Sequence, residues 1–250
     1  MSKPKALVLH ARGTNRDEDL CDALRLAGAE PEVVPLTVLR RDKIPWDKYQ
    51  MLALPGGFSH ADSLGAGRLF ALDLQSYFAE ELAAMNEAGW PIIGICNGFQ
   101  ALVRTGLLPG DGLAATLTDN SSGKFECRWV RLAVESQDSL WTAGLSEPID
   151  CPIAHGEGRF ALSDADLDKL ERSTQVVLRY ANTKGDAADG VYPMNPNGSV
   201  NDIAGITNAS GNMLGLMPHP ENHVRKRQAM GEKSYAWPFF RNGVQFAAGS

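Results

Sequence analysis

The sequence predicts an α/β protein: a mostly parallel central sheet with helices on both faces. Three observations carry this reading. Short apolar runs alternate with amphipathic stretches through the first half of the chain, the pattern of repeated strand–helix–strand units. The amphipathic stretches place their apolar residues at helical spacing. Glycine and proline punctuate the junctions, at Gly28, at Pro55-Gly56-Gly57 and at Gly89, where a helix or strand has to stop.

The elements follow in order. Ala6-Leu7-Val8-Leu9-His10 reads as the first strand. Thr14 or Asn15 is positioned to cap the next helix, with Asp17, Glu18 and Asp19 in its first turn, where acids suit the positive helix end. Leu20, Cys21, Leu24 and Ala27 form its apolar face and Gly28 ends it. Glu32-Val33-Val34-Pro35-Leu36 and Met51-Leu52-Ala53-Leu54 read as strands two and three. Residues 69–88 read as one long amphipathic helix, and Pro91-Ile92-Ile93-Gly94-Ile95 as a buried strand running into a helix after Cys96. In the second half, residues 127–132 and 175–180 read as strands, and residues 203–208 and 213–217 as a hairpin. Residues 184–201, rich in Gly, Pro, Asp and Asn, read as an insertion on the surface, equally suited to a mobile hairpin or a contact role. With neither a repeat nor a low-complexity linker, residues 1–250 are expected to form a single domain.

Composition narrows the class of function. A chain of 250 residues with 44% hydrophobic and 22% charged residues is long enough to build a core without disulfides. A net charge of −6 gives no electrostatic footprint for nucleic acid. Cys21, Cys96, Cys127 and Cys151 are widely spaced, so neither a zinc site nor a disulfide framework is indicated, and no other metal-ligand spacing occurs. No apolar stretch approaches the roughly 20 residues of a membrane span, and the start lacks a signal-peptide core. A cytoplasmic protein is the expectation, and there a free thiol persists.

One such thiol is singled out by its setting. In Gly94-Ile95-Cys96-Asn97-Gly98-Phe99-Gln100 a cysteine stands on a tight turn from strand to helix, with small residues on both sides to let the turn bend. The layout is that of a nucleophile elbow with Cys in place of Ser, and the positive end of the helix favours the thiolate. Alone, the segment equally suits a buried structural cysteine. A thiol nucleophile needs a base, an orienting group and oxyanion donors. Of the five histidines only His219 ends an apolar strand with a carboxylate two residues on, in Met217-Pro218-His219-Pro220-Glu221. In extended backbone, residues i and i+2 point the same way, so Glu221 can orient the His219 ring while its other nitrogen faces the thiol. The backbone N–H of Asn97 is one oxyanion donor. The N–H of Gly57, at the carboxyl end of a parallel strand, is a second candidate. Gln100 lies one helical turn after Cys96; it suits a substrate contact or an ordinary capping amide. His60 and Asp62 follow Gly57 closely and could line the mouth of the site. Cys21, Cys127 and Cys151 read as core residues, and Arg225-Lys226-Arg227 as a solvated face.

These residues resemble the class I (triad) glutamine amidotransferases. Five further strings narrow the resemblance to the PurQ family, the glutaminase subunits of phosphoribosylformylglycinamidine synthase: Pro55-Gly56-Gly57-Phe58-Ser59-His60-Ala61-Asp62, Leu64-Gly65-Ala66-Gly67, Ala154-His155-Gly156-Glu157-Gly158-Arg159-Phe160, Asn195-Pro196-Asn197-Gly198-Ser199 and Gly215-Leu216-Met217-Pro218-His219-Pro220-Glu221. The resemblance implies a flavodoxin-like class I glutamine amidotransferase fold. It implies Cys96 as nucleophile, His219 as general base and acid, and Glu221 as its orienter. It further implies Gly57 and Asn97 as the oxyanion hole, with Gln100 and the main chain of His155, Gly156 and Glu157 holding the α-amino and α-carboxylate groups of L-glutamine. No cofactor is implied in this chain; ATP and Mg belong to a large synthetase subunit (PurL), reached together with a small bridging subunit (PurS). Arg16 and His60, and a longer tail after Glu221, depart from the family pattern without touching the triad.

Overall fold

The apolar runs become strands and the amphipathic stretches helices. In the computed structural model, which describes residues 3–229 and 235–249, the elements are β1 (Lys5–His10), α1 (Asp17–Ala27), β2 (Glu30–Pro35), α2 (Leu36–Arg41), β3 (Met51–Leu54), α3 (Arg68–Tyr77), α4 (Ala79–Glu87), β4 (Ile92–Ile95), α5 (Asn97–Arg104), β5 (Ala115–Thr118), β6 (Glu126–Val134), β7 (Ile149–His155), β8 (Arg159–Leu162), α6 (Asp164–Arg172), β9 (Val176–Ala181), β10 (Ile203–Thr207), β11 (Met213–Leu216) and α7 (Trp237–Gly249).

One sheet has the strand order β2-β1-β3-β4-β11-β10-β9-β6-β7. The block from β2 to β11 is parallel throughout, and the pairs from β11 outward to β7 are antiparallel. Following those senses across the sheet, only β10 and β6 run against the rest, so seven of the nine strands share one direction. The mostly parallel sheet is therefore as predicted, and helices flank it. The consequence for function is geometric: β3, β4, β11 and β7 all end on one edge. β3, β4 and β11 are buried along their whole length, as strands covered on both faces must be. β5 and β8 form a separate antiparallel pair.

Several local expectations are corrected. Helix α1 starts at Asp17 with Arg16 in the cap position and no side-chain cap. Thr14 and Asn15 are engaged elsewhere: Thr14 bridges Gly57, and Asn15 packs against the same glycine. The long helix over residues 69–88 is broken into α3 and α4 at Phe78, whose non-helical backbone turns its ring in against Trp46, with ring centroids 5.5 Å apart. Cys21 and Cys151 are core residues, but Cys127 is exposed, because β6 alternates buried and open positions. Residues 184–201 are not merely a surface insertion. Ala188, Asn195, Asn197 and Ser199 are buried, and Asn197 donates to the Gly158 carbonyl (2.9 Å) and to the Tyr180 hydroxyl (3.0 Å). The tail after Glu221 packs back on the fold: α7 lies against α1, and Gly243 admits the fully buried Trp141 ring so closely that a Cβ would lie 2.3 Å from it.

Candidate active site

The site is built where the parallel strands end. Strand β4 delivers Cys96 and α5 starts at the next residue. Cys96 has φ 51° and ψ −105°, a conformation costly for a residue with a Cβ and held only by its surroundings. Its N–H donates to the Leu216 carbonyl of β11 (2.8 Å), and its carbonyl accepts the Gln100 N–H (3.0 Å). Two glycines make the elbow possible. A Cβ on Gly98 would lie 2.0 Å from the Leu54 carbonyl oxygen, and one on Gly94 would lie 2.8 Å from the Gly98 carbonyl oxygen. The thiol is 5% exposed, and its Sγ stands 3.8 Å from the Ala154 carbonyl of β7.

His219 follows β11 by three residues, and its N–H donates to the Pro152 carbonyl (2.8 Å), which ties it to β7. Its ring and the Glu221 carboxylate are both buried, and Nδ1 meets Glu221 Oε1 at 2.6 Å. Burial alone would lower the imidazole pKa; the Glu221 carboxylate and the nearby Cys96 thiol outweigh it and raise it. The other nitrogen, Nε2, is buried and makes no full hydrogen bond among the described residues, while the Cys96 thiol stands close enough to act on the ring. Charge on this imidazole is therefore stabilised from one side, and its free nitrogen is turned to the thiol's neighbourhood.

The loop after β3 closes over this pair. A Cβ on Gly56 would fall 2.7 Å from His219 Cε1 and 3.3 Å from Cys96 Cβ, so only glycine lets the chain lie on both. Gly57 has φ +135°, and a Cβ there would meet the Asn15 backbone nitrogen at 2.6 Å. Thr14 to Arg16 thus clamp the loop from behind. Asn97 opens α5, so its N–H is one of the first helical donors without an intrahelical partner.

A cavity of about 120 Å³ lies beside the thiol, lined among others by Gly57, Asp62, Cys96, Gln100, His155 and Glu157. The Gln100 side chain is fixed: Nε2 donates to the Glu157 carbonyl (2.7 Å), and Oε1 accepts from Asn97 Nδ2 (3.0 Å). Glu157 turns its carboxylate to the Ala66 N–H (3.1 and 3.2 Å) and to Arg104 (3.7 Å). Asn120 organises the other wall. Its Nδ2 donates to the carbonyls of Lys124 and His155, so its Oδ1 is the acceptor for Gly158 N–H and for His155 Nδ1. His155 therefore carries its proton on Nδ1. Burial, reinforced by His219, lowers its pKa to about 3, and it stays neutral.

The sequence profile of the CobB/CobQ-like glutamine amidotransferase domain matches residues 3–247. The phosphoribosylformylglycinamidine synthase subunit PurQ of Treponema denticola is 52% identical, over 92% of this chain and 93% of that protein. The corresponding subunit of Dehalococcoides mccartyi is 42% identical over 99% of both. The chain belongs to the PurQ family of glutamine amidotransferases. Among solved structures, PurLQS from Thermotoga maritima superposes with a TM-score of 0.77 at 37% identity, covering 98% of each chain. A glutamine amidotransferase from the same organism shares the fold at 14% identity and a TM-score of 0.59.

Set on this PurQ-family frame, the residues singled out from sequence converge on one strand edge: Cys96, His219, Glu221, Gly57 and Asn97 around the thiol, and Gln100, His155, Gly156 and Glu157 around the adjoining cavity. Asp62 also lines that cavity, whereas His60 turns away to Asp73 (3.1 Å). Sequence reasoning missed Asn120, the Ala154 carbonyl and the Phe58–Phe125 pair, whose rings stack 6.3 Å apart at the cavity. Only the turn cluster Asp119-Asn120-Ser121-Ser122-Gly123 could have drawn attention to Asn120, and it signals a loop, not a site.

Proposed function

We propose that Cys96, His219 and Glu221 are the catalytic triad with which this glutamine amidotransferase subunit of phosphoribosylformylglycinamidine synthase hydrolyses L-glutamine, residues 1–250 acting as one glutaminase domain. The observation that carries the reading is the buried Nδ1 to carboxylate contact of 2.6 Å behind an imidazole whose other nitrogen lies beside an elbow thiol. His219 holds the proton taken from Cys96 as an imidazolium beside the thiolate, and the thiolate attacks the side-chain carbonyl carbon of glutamine. The oxyanion forms against the N–H groups of Gly57 and Asn97, each such donor contributing about 3 kcal/mol to barrier lowering. As the tetrahedral adduct collapses, His219 hands its proton to the departing nitrogen, and ammonia leaves a glutamyl thioester on Cys96. Water, deprotonated by His219, attacks that thioester through a second oxyanion. Its collapse releases glutamate and restores the thiolate beside the imidazolium. Glu221 holds the ring in the tautomer that this sequence requires and stabilises the imidazolium.

Ammonia in neutral water is mostly protonated and unreactive, so direct transfer to an acceptor site favours work in a complex with other subunits. The partners we assign are the large synthetase subunit (PurL), with its ATP and Mg, and the small bridging subunit (PurS). Among the described residues no helix is long and apolar enough to cross a membrane, and a reducing cytoplasm suits a free active thiol. The test is Cys96→Ala in the reconstituted complex. Glutamine-dependent synthesis is expected to vanish while ammonia-dependent synthesis persists; retention of glutamine as nitrogen donor would overturn the assignment of Cys96.

A further inference from the structure

The cavity beside Cys96 contains a carboxylate that the protein does not neutralise. Asp62 lines it at the end of a run in which His60, Ala61 and Asp62 all take left-handed backbone angles, φ 53°, 55° and 52°. The one described hydrogen bond to its carboxylate comes from Asn97 Nδ2 to Oδ1 (3.2 Å), so it is tied to the residue directly after the thiol. No cation faces it. Burial and the neighbouring Glu157 carboxylate raise its pKa to about 6, against the pull of Asn97. Glu157 is already satisfied, by the Ala66 N–H and by Arg104. A partly buried carboxylate without a counter-charge costs stability unless a ligand completes it. An unpaired carboxylate on so small a cavity calls for a ligand positively charged on one side.

We propose that Asp62 receives the α-ammonium group of the glutamine substrate, an assignment that rests on the glutaminase function above. In glutamine the ammonium is separated from the amide carbon by three carbons, so a carboxylate across a small cavity from the nucleophile is where a counter-charge is needed. Binding neutralises Asp62 and replaces its lost hydration. The specificity consequence is concrete. Free glutamine satisfies Asp62, whereas a glutamine residue inside a polypeptide has a neutral amide in place of the ammonium and leaves the carboxylate unpaired. Asp62 thereby keeps a reactive thiol from deamidating proteins.

The experiment measures alkylation of Cys96 in the full chain assembled with its partner subunits. One reagent, 6-diazo-5-oxo-L-norleucine, carries the α-ammonium; the other, iodoacetamide, does not. Asp62→Asn is expected to slow the first reaction by about 10- to 100-fold, the range of a hydrogen bond to a charged group, and to leave the second within about twofold, as an intact elbow requires. Asp62→Glu, which keeps the charge, should recover part of the loss. Equal slowing with both reagents, or no slowing with either, overturns the role of Asp62. Failure of the diazo reagent on the wild-type site, with iodoacetamide still reacting, would instead bring down the glutaminase reading and the inference with it.

Discussion

Among the described residues Glu221 Oε1 makes one hydrogen bond, to the His219 imidazole, and the other oxygen is buried without a described partner. Its value is therefore concentrated in one contact. Glu221→Gln keeps the shape but can offer an N–H to Nδ1, which favours the wrong tautomer and no longer stabilises imidazolium. We expect glutamine turnover to fall roughly 10²- to 10⁴-fold, with little change in KM, as measured by glutamate release in the assembled complex. A fall of less than tenfold would show that the ring is oriented by other groups. Stability should change with a defined sign. Burial tends to lower the pKa of His219, but the carboxylate raises it above its ordinary value of 6.5. The charged pair therefore stabilises the fold fully below pH 6.5, and that contribution is lost as pH rises through the elevated value. Urea unfolding should show the gap between wild type and variant closing as pH increases above 6.5. A gap that widens instead would mean the pair does not hold a proton on His219 in the folded state.

At the scale of elements, the elbow depends on how closely α5 approaches β3. Gly98 in the first turn of α5 faces the Leu54 carbonyl, and an added Cβ would sit 2.0 Å from that oxygen. Backbone on both sides cannot yield, so Gly98→Ala should destabilise by about 1–3 kcal/mol or more, the range for overpacking. It should also displace the thiol, so that glutaminase activity falls further than the loss of folded protein accounts for. Thermal unfolding and turnover per folded molecule check this, and wild-type turnover in a folded variant would refute it. The glycine spacing was readable from sequence because a strand-to-helix turn leaves a local signature, and so was the His219-Pro220-Glu221 geometry, since extended residues two apart share a face. What was not readable lies in long-range pairing. β7 contains Pro152, and its approach to Cys96 through Ala154 joins strands that are not neighbours in the sheet, which only the completed fold reveals. Helix α6, with its Ser163 cap and mostly charged surface, offers only a thin apolar stripe. The kink at Phe78 depends on Trp46, far away in the chain.

For the whole molecule, the decisive feature is that the cavity is lined by two exposed aromatic rings. Phe58 and Phe125 stack on one another there and are 44% and 52% exposed. Exposed apolar surface at a functional opening marks a contact site, and here covering it would confine both glutamine and ammonia. The same loop that carries Phe58 carries Gly57, whose N–H is the second oxyanion donor we assign, and it is held by the segment Arg12 to Arg16 and by the Asn97 side chain. A partner resting on Phe58 therefore bears directly on the geometry of the oxyanion hole. The chain alone should hydrolyse glutamine slowly, and adding the synthetase and the small subunit with their substrates should raise the rate about 5- to 150-fold, the usual range of coupling between sites. Replacing both rings, as Phe58→Ala with Phe125→Ala, should reduce that stimulation more than it reduces the slow basal rate. Steady-state glutamate release, measured with and without partners, decides the matter. Equal rates in the two conditions would mean that the site is fully formed without its partners and that the aromatic mouth has no part in controlling it.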